Sequence, residues 1–242
     1  MLHSDSTCSD ETPDWEAAWQ EFRRGPLTLP EDPSIRESWH QGRSRYAVWV
    51  LRVDDAAVRE RVTQVASCLR DAIVPEPVNQ LHITLFVAGF ITPLPTRDDD
   101  VDELVLRDQV EDLSRAMSPL VLEVGAAHSF LSVPTLRVHD PRGDLARLRR
   151  VLSRRTREIR FAAYYPHITV GRYRDARSTR EISSRIEALW PWPPLPIVVD
   201  AIDLVCFDGL KVDTPLESIA RIDGARDQAT RAVLQAGSIR KD

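Results

Sequence analysis

Apolar residues along this chain alternate between two rhythms. Tyr46 to Val53 (YAVWVLRV), Leu81 to Phe90 (LHITLFVAGF) and Leu120 to Val124, continuing towards Phe130, are short runs rich in β-branched and aromatic residues. Such runs predict strands. Between them, Val58, Val62, Val65 and Leu69, and then Leu106, Val110, Leu113 and Met117, fall at helical spacing. Asp54 is placed to cap the first of these helices. The rhythm then begins again. Thr135 to His139 (TLRVH) predicts a strand and residues 143–158 a helix with Leu145, Leu148 and Leu152 inward. His167 to Tyr173 (HITVGRY) predicts a strand, and Ser178 with Glu181 a capping box opening a helix that carries Ile182, Ile186 and Leu189. Pro191 to Pro196 is a connector, Ile197 to Phe207 a long strand and Ser218 to Ile222 a short one.

Strand, helix, strand, helix, strand thus occurs twice, which predicts a duplicated half and two lobes related by a pseudo-twofold. The expected organisation is a two-lobed domain over residues 45–223, with lobes near 45–130 and 131–223 that can exchange strands. It is flanked by an N-terminal extension, residues 1–44, and a polar helical tail, residues 224–242. In the extension Thr12 is placed to cap one amphipathic helix, with Pro13 at its first position and Gly25-Pro26 at its stop. Its Trp15, Trp19 and Phe22 share a face, which either packs on the body or recruits a protein partner. Alternating strands and helices usually mean a parallel sheet, although periodicity alone leaves strand direction open.

Composition narrows the class of protein. Hydrophobic residues make up 43% and charged residues 29%, the balance of a globular chain. Every long apolar run is broken by a charge or proline, so no membrane span is expected. Met1 to Glu11 is polar and acidic, unlike a secretory signal. The three cysteines, Cys8, Cys68 and Cys206, are too dispersed for a disulfide framework or a zinc site, which fits a reduced, cytoplasmic setting. The net charge of −5 disfavours a grip on long nucleic acid and favours a small nucleotide or a strand end.

The chemistry concentrates in one tripeptide that occurs twice, as Leu81-His82-Ile83-Thr84-Leu85 and Pro166-His167-Ile168-Thr169-Val170. In a strand, residues two apart share a face. His82 therefore lies beside Thr84, and His167 beside Thr169, while Ile83 and Ile168 turn towards a core. Two such strands brought together offer two imidazoles and two hydroxyls. One imidazole can take a proton from an attacking hydroxyl or water while the other protonates a leaving oxygen. The threonines can donate to the non-bridging oxygens of a phosphate diester. That chemistry needs neither metal nor cofactor.

With these two motifs, Gly89 after the first, Phe130 before the central strand and Arg172 after the second, the chain resembles the two-histidine (2H) phosphoesterase superfamily. Within it the likeness is to the bacterial 2′-5′ RNA ligase and RNA 2′,3′-cyclic phosphodiesterase branch, over about Tyr46 to Ile222. The resemblance implies an α+β, bilobal, duplicated fold with two largely antiparallel sheets around a central cleft, replacing the parallel expectation. It implies metal-independent cleavage of 2′,3′-cyclic phosphates at RNA ends or in small nucleotides, or its reversal as 2′-5′ ligation. His82 and His167 would exchange protons, and Thr84 and Thr169 would hold the phosphate. The alternative is a binding or regulatory protein that uses the same cleft without turnover.

Further candidates surround the motifs. Arg172 is a second phosphate ligand if Gly171 breaks the strand and re-aims it. Phe130 and Tyr165, with Tyr164, are candidates to stack on a base. His128 and His139 lack the following Ile-Thr and read as ordinary side chains. Asp98-Asp99-Asp100 reads as a solvated loop, and the arginines between Arg147 and Arg160 as an exposed face or a weak RNA path.

Overall fold

The computed structural model describes residues 13–159, 163–209, 211, 214–224 and 232–233. The first helix, α1 (Trp15–Arg24), is capped by Asp14, whose carboxylate accepts from the Ala17 amide; Thr12, expected as the cap, lies outside the described residues. Among the described residues the extension holds two helices, where one was expected. The second is α2 (Pro33–His40), with Asp32 as cap and Pro33 at its first position. Its sequence, PSIRESWH, lacks an apolar stripe that periodicity can find.

The body then runs β1 (Arg45–Arg52), α3 (Ala56–Cys68), β2 (Ile73–Pro75), β3 (His82–Ile91), β4 (Asp100–Val101), α4 (Glu103–Ala116) and β5 (Leu120–Ser129). Next come β6 (Pro134–His139), α5 (Asp144–Ser153), β7 (His167–Thr169), β8 (Gly171–Tyr173) and α6 (Thr179–Glu187). The chain continues through β9 (Leu195–Val199), β10 (Ala201–Asp208) and β11 (Glu217–Asp223) to β12 (Ala232–Val233). Asp55, not Asp54, caps α3, and α5 ends at Ser153, short of residue 158. Residues 232–233 pair with β11 as a strand, where a helical tail was expected.

The architecture is α+β and largely antiparallel; among the described residues only the short pair β3–β4 is parallel. The strand order is β12-β11-β10-β1-β3-β7-β6-β5-β9, with β2 and β8 forming a separate small pair. The two half-sheets meet where β3 and β7 pair at Ile83 and Ile168. The duplication comes with an exchange. The fifth strand of the first repeat, β5, pairs with β6, the first strand of the second. The fifth strand of the second repeat, β10, returns to pair with β1.

That exchange explains why the expected strand Ile197–Phe207 is two. β9 pairs with β5 in one half, the chain crosses at Asp200, and β10 joins the other half. Nothing in the apolar run marks the crossing. His167–Tyr173 also divides, because after Val170 the chain leaves β6 to pair with β2. Gly171 permits this: a Cβ there would lie 2.5 Å from the Val74 carbonyl oxygen.

Ile83, Leu85, Ile168 and Val170 are fully buried with Val58, Val62, Val65, Leu69, Leu145, Leu148, Leu152, Ile182 and Ile186. The helices α3, α5 and α6 therefore contribute to the core against which the motif strands are fixed. The extension is fixed too. Trp19 and Phe22 are 3% and 2% exposed, and each such burial contributes roughly 2–3 kcal/mol. The Trp19 indole donates to Glu187 on α6, and Leu27 bridges Ser178. Trp39 of α2 packs edge-on against Tyr46 and Phe90.

Candidate functional site

The β3–β7 register decides the site. Ile83 stands opposite Ile168 in an antiparallel pair, so His82 faces Thr169 and Thr84 faces His167 across the two strands. Both isoleucines are fully buried, so the four polar side chains share the opposite face. The two histidines are diagonal neighbours, with Cβ atoms about 7 Å apart by ordinary sheet geometry. The strands lie side by side at the junction of the half-sheets.

Each imidazole is held in the same way. His82 Nδ1 lies 2.8 Å from the Gln80 carbonyl oxygen, and His167 Nδ1 lies 2.6 Å from that of Tyr165. Only an N–H can face a carbonyl at that distance, so Nδ1 donates and Nε2 is the basic nitrogen in each ring. In both cases the carbonyl belongs to the residue two positions earlier, where the chain enters the strand. Burial pushes the His82 pKa below its ordinary value, and the positive charge of Arg52 adds to the shift in spite of the Gln80 carbonyl. Among the described residues, the hydroxyls of Thr84 and Thr169 have no protein hydrogen-bond partner.

The neighbouring strands extend the pattern. Arg52 on β1 stands opposite His82, and Arg137 on β6 opposite His167. Sequence reasoning missed this pair although its signal was present. Leu51-Arg52-Val53 and Leu136-Arg137-Val138 repeat a tripeptide, and the offset 137 − 52 = 85 equals that of the histidines, 167 − 82 = 85. The two arginines differ in partners. Arg52 donates to the buried Asp203 carboxylate at 2.6 Å and to the Leu216 carbonyl. The guanidinium of half-buried Arg137 makes no hydrogen bond among the described residues; it lies 5.9 Å from the Trp190 ring centroid and feels the charge of Glu16 on α1. Thr135, opposite Thr169, buries its hydroxyl without a partner.

Behind the first motif lies a buried support, also missed. Arg149 on α5 donates to the Leu85 carbonyl and pairs with Glu158, whose carboxylate receives the Val87 amide. The Arg149 guanidinium stacks 3.8 Å over Tyr164, whose hydroxyl donates to the Thr84 carbonyl. Arg147 and Arg155 are also engaged within the chain, with Asp144 and with Asp108 and Asp112. These three arginines are each engaged in an intramolecular pair.

The remaining candidates fall as follows. Phe130 sits edge-on to His167 at 5.4 Å, and Tyr165 lies 5.8 Å from Phe130. Arg172 is half-buried on β8, past the break at Val170 and opposite Val74. Asp99 and Asp100 bind Arg43 and so tie the segment after α2 to β4, where a solvated loop was expected. Among the described residues, no group of three or more His, Cys, Asp or Glu could hold a metal ion. None of the described helices is long and apolar enough to cross a membrane. The Trp stripe of α1 is spent on the chain's own body, since Trp19 and Phe22 are buried and Trp15 packs on His128, Phe130 and Tyr165. Of the two expectations for that face, packing on the body is the one the described residues display.

Known structures share this fold. Escherichia coli LigT complexed with 3′-AMP superposes with a TM-score of 0.53 at 18% identity, over 76% of this chain and 99% of that one. The apo form of E. coli LigT gives 0.50 at 18% identity, over 75% and 98%. Its complex with NADP+ gives 0.50 at 17%, over 74% and 98%. A search of curated protein sequences returned no match. The family model described as the 2'-5' RNA ligase superfamily matches residues 53–210, which is more than half of the 242 residues and spans both motifs. The chain belongs to the 2'-5' RNA ligase superfamily.

Proposed function

We propose that this protein is a metal-independent phosphoesterase that acts on 2′,3′-cyclic phosphates or 2′-5′ phosphodiester linkages of RNA ends or small nucleotides. The observation that carries the reading is the Ile83–Ile168 pairing, which sets two histidines and two threonines on one face in diagonal order. In hydrolysis, water attacks phosphorus, one imidazole Nε2 takes its proton, and the other imidazolium protonates the departing ribose oxygen. The lowered pKa of His82 keeps it neutral and suits it to the base role. His167 then acts as the acid, and the two exchange roles in ligation. Thr84 and Thr169 donate to the non-bridging oxygens, and Arg172 supplies positive charge from beyond the strand break. The facing residues form two rows, Arg52-His82-Thr169-Thr135 and Val50-Thr84-His167-Arg137. The carboxylate that extends these rows, Asp203 opposite Val50, is buried and paired with the Arg52 guanidinium. E. coli LigT, of like fold, was crystallised with 3′-AMP and with NADP+, which supports a nucleotide ligand.

The test is a product assay across 2′,3′-cyclic mononucleotides, 2′-5′ and 3′-5′ dinucleotides and cyclic-phosphate RNA ends. His82→Ala and His167→Ala should each abolish turnover, and EDTA should leave it unchanged. Full activity in either variant overturns the two-histidine mechanism. Binding of 3′-AMP without product from any of these substrates makes the protein a nucleotide binder instead.

A further inference from the structure

α1 precedes the segment that matches the family, residues 53–210, yet one of its side chains reaches the site. The stripe Trp15, Trp19, Phe22 divides its work. Trp19 and Phe22 are buried with Trp190 and anchor the helix. Trp15 stands one turn earlier, at the end nearest the second motif, and is only half-buried. It meets Tyr165 edge-on at 5.2 Å and His128 edge-on at 4.9 Å, and lies tilted on Phe130 at 6.0 Å. Phe130 in turn stands against the His167 ring. Tyr165 links both sides: its carbonyl holds His167 Nδ1, and its hydroxyl donates to the Asp14 carbonyl at the α1 cap. A row of rings therefore runs from α1 to a motif imidazole. Trp15, Phe130 and Tyr165 are all half-buried, unlike the anchoring Trp19 and Phe22, so they retain open surface beside the phosphate-binding face.

We propose that Trp15, with Phe130 and Tyr165, forms the wall on which the nucleobase of the substrate stacks, so that the N-terminal helix is a specificity element of the site. This rests on the reading above that a nucleoside phosphate binds at the motif histidines. A base lies one ribose away from the phosphorus, and planar aromatic side chains are the usual platform for it.

The test separates base from phosphate. Trp15→Ala should raise KM for 2′,3′-cyclic AMP about 5- to 100-fold with little change in kcat. It should leave turnover of glycerol 1,2-cyclic phosphate, which has no base, unchanged. Trp15→Phe should restore most of the loss. Equal losses on both substrates, or no loss on either, overturn the wall. Calorimetry with 3′-AMP and with inorganic phosphate gives a readout that does not need turnover. If the wild type cleaves neither substrate but Trp15→Ala weakens only 3′-AMP, the wall stands while the activity reading falls. Unchanged 3′-AMP affinity, or none in the wild type, overturns the wall.

Discussion

His128 offers a quantitative check on how α1 is attached. Its ring is fully buried between Trp15 and Trp19, and its Nδ1 has no hydrogen-bond partner among the described residues. Burial pushes its pKa down from an ordinary 6.5 to about 3, against the opposing carbonyl of Trp15 and with smaller contributions from Arg137 and His167. The unfolded chain therefore binds a proton below pH 6.5 that the native state refuses. Stability is fully present above that pH and falls by about 1.4 kcal/mol per unit on acidification, until the native pKa is reached. At pH 4.5, two units below the unfolded value, His128 costs about 3 kcal/mol. For a domain of this size that is a drop of about 10 °C in Tm. The perturbation is His128→Leu, which keeps an apolar side chain of similar size and removes the proton site. Thermal unfolding of both proteins at pH 7.5 and 4.5 gives the comparison. His82 and the carboxylates titrate in both, so their effects cancel in the difference. The variant should lose about 3 kcal/mol less than the wild type. An equal loss in the two proteins refutes the assignment of a neutral, buried His128.

Three further outcomes follow from the geometry. The acidic limb of kcat/KM against pH should lie below the ordinary histidine range, because the proposed base, His82, is the lowered group; a limb at 7 or above contradicts that role. Arg149→Met should cost about 3–5 kcal/mol in urea unfolding, since it strips the charge against which Glu158 is buried, and Glu158→Gln in the same background should recover part of it. Gly171→Ala should cost about 1–3 kcal/mol, because its Cβ would press on the Val74 carbonyl and loosen the β2–β8 pair; a variant as stable as wild type would show that this pair yields freely.

Much of the motif chemistry could be read from the sequence because strand periodicity is local. His82, Thr84 and the buried Ile83 need only an alternation of two, and the second copy repeats the same rule. What could not be read is what each strand lies beside. Arg52 and Arg137 sit in runs dominated by apolar residues and look like strand ends until the β1–β3 and β6–β7 registers set them opposite the histidines. The three-residue strand β2 follows a four-residue turn after α3 and has no alternation of its own; it exists because β8 needs a partner. Trp15 reads as one of three equivalent stripe residues. Only the docking of α1 on β5 and α6 separates it from Trp19 and Phe22.

The exchange of fifth strands also bears on how the chain is made. β1 emerges early from the ribosome, yet on one edge it pairs with β10, residues 201–208. Arg52, opposite His82, finds its buried carboxylate at Asp203, 151 residues later. Such distant pairings are slow to close and leave an edge exposed during synthesis. Each half borrows a strand from the other repeat, so the face that carries the two motifs is completed only after most of the chain has been translated. A nascent or truncated chain ending before β10 carries both His-Ile-Thr strands and still lacks the strand that completes the first half-sheet.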